Sequence, residues 1–571
     1  MSYSPPITEQ RFVLDHVVDI ADLSKAERFE AATPDMVDAI LEGAGALASG
    51  EYAPLNRVGD TVGAKWTPDG VTMPDGFKAA YDAFVEGGWS TLAAPAEHGG
   101  QGLPFSLATV VMEDLGTANM GFSLVNMLNA GAIEAIVHHG SAEQHAAWLP
   151  RLVTGEWTGT MNLTEPQAGS DVGALRTTAT PAGDGSWRIS GTKIFITYGE
   201  HDLADNIVHL VLARTPDAPA GTKGISLFLV PKFRLNDAGE PAERNGVACL
   251  SIEHKLGIHA SPTCVMGFGE GGECHGWLIG EEGGGMRAMF TMMNHARLNV
   301  GLQGVQIAER ATQAAVDYAR GRVQSARAGK PVAIVEHPDV RRMLIRMKAL
   351  TQGARALVYY AAGQLDRATL GDAHARARAE LLVPLAKAWG TDVGCEVASI
   401  GVQVHGGMGF VEETGAAQHY RDARIAPIYE GTNGIQAADL IGRKMSMNGG
   451  DVFRRLLDDI RAEGVPELAA LSERVDVAAR YLTGNEADAD DRLAGSYPFL
   501  TMLSVLTAGW LMARQGKAVE AAEGDPAFLA MKRVAVRFFL ERIVPEAEGL
   551  LAAATAGAAG LYAVDAEVLA A

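Results

Sequence analysis

The sequence predicts an α+β protein in which a compact β domain is inserted between helical blocks, with a further helical block beyond them. Three observations predict it. Apolar residues recur at helical spacing before about residue 155. Between about 157 and 275 short β-branched and aromatic runs take over, bounded by Pro, Gly and Asp. From about 284 long stretches rich in Ala, Leu, Arg and Met return, so the order is α, β, α and a further α unit.

Composition narrows the function classes. At 571 residues the chain exceeds the usual size of one domain. Hydrophobic residues make up 47% and charged ones 20%, the balance of a globular protein with large cores. A net charge of -21, from 48 Lys+Arg against 69 Asp+Glu, excludes a nucleic-acid binder and adhesion to an anionic membrane. An anionic ligand therefore needs a local exception to the acidic surface. Cys249, Cys264, Cys274 and Cys395 have no metal-ligand spacing and are expected to be free thiols, so no metal is expected. The start lacks a basic stretch followed by an apolar one, so no signal peptide is expected and the cytoplasm is the default compartment. The uncharged run Gly549 to Val564 is too short to span a membrane and reads as a packed helix.

Each element follows from local signals. Thr33-Pro34 is an N-cap followed by proline at the first helical position, and Val37, Ile40, Leu41, Ala44 and Leu47 then form an apolar stripe. Pro95 and Gly99 to Gly102 mark a loop. Trp187 to Ser190 and Lys193 to Thr197 read as two strands separated by a turn at Gly191-Thr192. Ile207 to Ala213 and Ile225 to Val230 read as further strands. Beyond Met447 to Gly450 an amphipathic block begins with Val452, Phe453, Leu456, Leu457 and Ile460, and an acidic exposed loop is expected at Asn485 to Asp491.

Four segments carry potential chemistry, and each alone admits a plain reading. Asn162 to Asp171 holds turn formers and could be a simple loop. Phe195-Ile196-Thr197 could be a buried strand end. Gln403 to Phe410 has glycines that let a backbone approach a phosphate or a ring, or that merely turn the chain. Ile428 to Asn433 contains Glu430 between apolar residues and a glycine, which suits either a general base in a dry site or a capping glutamate.

Taken together, in this order and in this arrangement, the four segments resemble the acyl-CoA dehydrogenase family over roughly residues 38 to 445. The long form is similar to the bacterial branch that includes the 3-methylmercaptopropionyl-CoA dehydrogenases. Tyr198 to Ala204 and Ile334 to Pro338 support that branch. The resemblance implies an extension at residues 1–37, a helical domain at 38–156, a β domain at 157–280, a four-helix-bundle domain at 281–450 and an additional helical domain at 451–571.

It also implies the site. Glu430 is the base that takes the α-proton of an acyl-CoA, with hydride passing from the β-carbon to N5 of FAD and a trans-2-enoyl-CoA as product. Leu163 and Thr164 meet the flavin ring, and Phe195, Ile196 and Thr197 lie beside it. Ser170 touches cofactor or ligand phosphate and pantetheine. Arg322, in Tyr318-Ala319-Arg320-Gly321-Arg322, partners the FAD pyrophosphate. Gln403, Gly406 and Gly407 meet the adenine end of an FAD held mainly by a neighbouring subunit, and Thr432 approaches its phosphates. Asn294, Arg297, Tyr429 and Gly431 meet the substrate, Arg297 in the CoA channel.

Phe195, Asn162, Asn294, Ser325, Pro338 and Gly434 depart from the common family pattern at individual cofactor and substrate contacts. The resemblance implies as partners an acyl-CoA, with a short methylthio-substituted chain from the family branch, an electron-transfer flavoprotein and a second copy of the chain in a homodimer. Straight medium or long acyl chains, an acyl-CoA oxidase using dioxygen and a non-catalytic binding protein are the alternatives.

Overall fold

The computed structural model describes residues 3–571. The side chain of Asn294, expected to meet substrate, lies outside the described residues. Residues 3–5 and 34–299 form one compact unit, and residues 6–33 and 300–571 form another.

In the first unit, helix Pro34–Leu47 begins at the expected proline and buries Val37, Ile40, Leu41 and Ala44. Helix Phe105–His139 breaks at Asn119 (φ -157, ψ 90), whose side-chain oxygen accepts the Phe122 N–H at 3.2 Å. Asn119 thus caps the second half of the helix. Helix Ala142–Thr154 opens on a reciprocal cap between Ser141 and Gln144.

Eight strands follow in one sheet: β1 (Trp157–Asn162), β2 (Thr178–Pro181), β3 (Trp187–Thr197), β4 (Asn206–Arg214), β5 (Ile225–Pro231), β6 (Val247–Ile252), β7 (Thr263–Phe268) and β8 (His275–Ile279). Their order is β6-β7-β3-β8-β5-β4-β1, with β2 beside β3 and β4. β1 runs parallel to β4, whereas β4 and β5 are antiparallel. Every residue of β1 and β5 is buried, which explains the nearly continuous apolar run of β5 in place of alternation.

The expected turn at Gly191-Thr192 is absent. Trp187–Thr197 is one strand whose first half pairs with β2 and β8 and whose second half pairs with β7. Gly191 is needed for a close approach instead: a Cβ there would come 2.4 Å from Thr177 Oγ1.

In the second unit, helices Pro338–Thr369 and Ala373–His405 are joined by a short turn, with Asp372 capping the latter. Pro338 takes the first helical position, where a missing N–H costs nothing. The chain passes between units inside helix Gly285–Gly321. Its glycines pack against Ala373–His405, since a Cβ on Gly304 would lie 1.8 Å from the Gly390 oxygen. Helix Asp451–Ala462 buries Val452, Phe453, Leu456, Leu457 and Ile460, as their spacing predicts. Residues 6–33 pack within this unit. The fully buried Lys532 donates to Glu9 Oε1 at 2.6 Å and to Gln515 Oε1 at 2.7 Å.

The reading of 549–564 as a packed helix is corrected. Only Leu551–Ala554 is helical there, and Leu561 and Tyr562 are 65% and 71% exposed. Thr555 caps that short helix, and Gly557 beyond it adopts φ +72. The four cysteines are free, as expected. Helices Phe105–His139 and Ala489–Ala521 are long and apolar enough to cross a membrane, but 83% of each apolar window is buried in protein.

Candidate active site

Two constellations assemble, one in each unit. The first lies where β1 runs into its loop beside β3. The Thr164 carbonyl accepts the Ile194 N–H at 2.9 Å, and the Leu163 carbonyl accepts Lys193 Nζ at 3.0 Å. Lys193 also pairs with Glu165 Oε1 at 2.8 Å, with both side chains buried. Glu165 further accepts Thr177 Oγ1 at 2.6 Å and the Arg176 N–H at 2.7 Å. Burial opposes ionisation of Glu165, but Lys193 and these donors outweigh it and bring its carboxyl down to about 2. Burial brings Lys193 down to about 8, so both are charged at neutral pH. This ion pair fixes the Leu163-Thr164 backbone. The resemblance assigns neither residue a role, although Glu165 lies within the segment Asn162 to Asp171.

The ladder between β7 and β3 shifts register around Phe195: Cys264 faces Ile196 and Met266 faces Lys193. Phe195 has φ +60 and is 58% exposed, so the bulge turns its ring out of the sheet. Thr197 is half-buried beside it, and Ser170 is exposed on the loop after β1. The Ile196 side chain is buried in the sheet core, which leaves its backbone to face a ligand. Buried Asn162 Oδ1 has no hydrogen-bond partner.

The same unit encloses a cavity of about 80 Å³. Trp89, Phe105 and Met127 line its apolar side, and Asn126, Asn129 and His295 add polar groups. The carboxamide oxygens of Asn126 and Asn129 are buried without a partner. The amide nitrogen of Asn126 donates to Tyr52 Oη at 3.2 Å, and that of Asn129 to the Leu152 carbonyl at 2.8 Å. Arg297 is buried, its guanidinium 5.9 Å from the Phe290 ring centroid.

The second constellation surrounds Glu430, which is half-buried and held at φ +56, followed by Gly431 at φ +81. A left-handed glutamate costs on the order of 1–3 kcal/mol and persists only where its surroundings over-determine it. They do so here. Tyr429 Oη donates to Gln303 on helix Gly285–Gly321. Burial, and then the charge of Glu430, push the Tyr429 hydroxyl upward, so it stays a donor. Thr432 Oγ1 accepts the Ile435 N–H at 3.2 Å and caps the next helix. Buried Asn433 accepts Lys387 Nζ at 2.9 Å.

At another end of the same unit, Tyr318 stacks on His405, with ring centroids 4.4 Å apart. The stack brings together the elements bearing Arg322 and Gln403, Gly406 and Gly407, all exposed. Gly406 takes φ +59, and a Cβ on Gly406 or Gly407 would meet nothing within 4 Å. The Arg322 guanidinium reaches Gln324 Oε1 at 3.4 Å.

Family models match almost end to end: acyl-CoA dehydrogenase N-terminal domain over residues 46–156, middle domain over 160–270 and C-terminal domain over 283–445. The acetyl-CoA dehydrogenase C-terminal-like domain matches 455–565. A 3-methylmercaptopropionyl-CoA dehydrogenase of Ruegeria pomeroyi is 47% identical over 96% of this chain and 97% of its own. The chain belongs to the acyl-CoA dehydrogenase family. It is an oxidoreductase with the extra C-terminal helical domain. A butyryl-CoA dehydrogenase of Syntrophomonas wolfei is 36% identical, with 87% of each chain covered. The solved acyl-CoA dehydrogenase of Bacillus anthracis, described as complexed with FAD, superposes with a TM-score of 0.74 at 24% identity. It covers 93% of this chain and 89% of that one, which shows the shared fold.

The residues present fit a flavin dinucleotide in kind. Phe195 offers an exposed aromatic face and Asn162 an unpartnered buried acceptor. Arg322 offers an exposed guanidinium for a pyrophosphate, and Gly406-Gly407 an open turn for close backbone approach.

Proposed function

We propose that this acyl-CoA dehydrogenase acts on short acyl-CoA thioesters, 3-methylmercaptopropionyl-CoA among them, with Glu430 as the base that removes the α-proton. The observation that carries this reading is the strained left-handed Glu430, over-determined by Tyr429–Gln303 on one side and Asn433 on the other. An α-proton beside a thioester is weakly acidic, so a fixed carboxylate is worth more than a mobile one. FAD, beside Leu163, Thr164, Phe195 and Thr197, would supply the hydride acceptor, and Arg322 would bind a pyrophosphate. Arg297 binds the anionic coenzyme A, and Tyr429 and Gly431 shape the acyl path.

The butyryl-CoA dehydrogenase at 36% identity supports a short chain. The 47% relative adds the methylthio chain to that range. A homodimer in the cytoplasm, passing electrons to an electron-transfer flavoprotein, completes the reading. The exposed Phe410 and Met408 beside Gly406-Gly407 suit a face covered by a second copy.

The test is Glu430→Gln, which keeps shape and removes basicity. Acyl-CoA should bind with unchanged affinity while anaerobic stopped-flow shows no flavin reduction. Near-normal reduction rates would overturn the assignment.

A further inference from the structure

We infer that Tyr497, on the extra C-terminal helical domain, is a positioning residue for Glu430, acting through Asp392 and Asn433. The inference rests on Glu430 being the base.

Tyr497 lies in helix Ala489–Ala521 and donates its hydroxyl to Asp392 Oδ2 at 2.7 Å. The other oxygen of Asp392 accepts Asn433 Nδ2 at 2.9 Å. Asn433 Nδ2 also lies 3.0 Å from both the Ala388 carbonyl and Thr391 Oγ1, and its Oδ1 accepts Lys387 Nζ. The amide therefore bridges a fully buried ammonium and a carboxylate, with its oxygen toward the cation and its nitrogen toward the anion. Those two charges fix which way Asn433 points. Asn433 stands three residues after Glu430, and its backbone N–H donates to the Pro427 carbonyl at 3.0 Å, closing the loop that carries the base. Gln436 Nε2 reaches the Glu430 and Gly431 carbonyls at 3.5 and 3.4 Å from the same helix.

The arrangement asks Asp392 to stay ionised. Burial raises its carboxyl, and the groups facing it that oppose this are Tyr497, Asn433, Lys387 and Arg424, with Cys395 alongside. Removing the Tyr497 hydroxyl takes away one of two hydrogen bonds to that carboxylate. Asn433 then bonds to a carboxylate that is less firmly held, and the left-handed Glu430 loses part of what holds it. The extra C-terminal domain thus contributes to alignment of the base.

The experiment isolates proton abstraction. Holoenzyme whose flavin has already been reduced by dithionite is incubated with butyryl-CoA in D2O, and α-proton exchange is followed by NMR. In Tyr497→Phe the exchange rate should fall on the order of tenfold or more, as for a misplaced reacting group, while butyryl-CoA Kd, flavin content and Tm stay as in the unmodified enzyme. Asp392→Asn should give the same split, and the double variant should be no slower than Asp392→Asn alone. Exchange at the unmodified rate in Tyr497→Phe overturns the inference. So does a parallel loss of exchange, ligand affinity and flavin, or a double variant whose loss is the product of the two single losses. Glu430→Gln separates the two readings. If it still exchanges protons, the base assignment fails; if it is inert while Tyr497→Phe is normal, only the positioning role fails.

Discussion

The Nζ of Lys193 lies 2.8 Å from Oε1 of Glu165, and neither side chain is more than 4% exposed. Lys193 sits on β3 and Glu165 in the loop after β1, so one pair ties the loop that offers Leu163 and Thr164 to the strand that offers Phe195. Breaking a buried pair by removing one partner leaves the other charge stranded. Lys193→Met should therefore lower the stability of the cooperative unit around the β domain by about 3–5 kcal/mol, measured by denaturant unfolding. The pair also has a pH signature. The folded carboxyl of Glu165 lies at about 2, below its ordinary value near 4.5. Its stabilisation is complete above the ordinary value and is lost as pH falls toward the folded one. Unfolding midpoints between pH 5 and about 2 should drop more steeply in the unmodified protein than in Lys193→Met. Parallel curves for the two proteins would count against a stabilising role for the pair.

A second prediction concerns cofactor retention. Arg322 is exposed at the end of helix Gly285–Gly321, so its loss leaves no cavity. Arg322→Ala should weaken FAD binding by about 1.5–3 kcal/mol, the worth of a hydrogen bond to a charged group, with the unfolding midpoint of the apoprotein unchanged. Flavin absorbance after extensive dialysis is the measurement, and full retention would remove Arg322 from the cofactor site.

Much of this architecture was legible because it is written at short range. The runs Ile207 to Ala213 and Ile225 to Val230 read as strands because they are buried on both faces, and Pro34 takes the first position of its helix as expected. The Glu430 loop was legible as a motif, but its restraints were not. Gln303, Lys387 and Asp392 lie 126, 46 and 41 residues away from the loop residues they contact, and Tyr497 lies 105 from Asp392. No local periodicity encodes such pairings. The misread glycine at 191 has the same origin: glycine serves a turn or a close approach equally, and only the distant Thr177 decides between them. The packing of residues 6–33 with residues 300–571 rests on the buried contact of Glu9 with Lys532, 523 residues apart.

The last prediction addresses chain length through Ala130. This residue lines the cavity, lies on helix Phe105–His139 and is exposed, so its methyl faces open space rather than packed core. Leucine is nearly as good a helix former as alanine, and the fold should tolerate Ala130→Leu. Three added carbons at this position would narrow the cavity. Butyryl-CoA places a single carbon beyond its β-carbon, whereas hexanoyl-CoA places three. The variant should therefore retain kcat/KM on butyryl-CoA within about threefold but lose on the order of tenfold or more on hexanoyl-CoA, as expected when overpacking costs about 1–3 kcal/mol. The loss should appear in KM more than in kcat, because excluding the chain's end weakens binding without moving the base. Steady-state kinetics on the two thioesters, with an artificial electron acceptor, give the ratio directly. Equal losses on both would mean that the cavity does not take the chain's end, and an unchanged ratio with full activity would say the same.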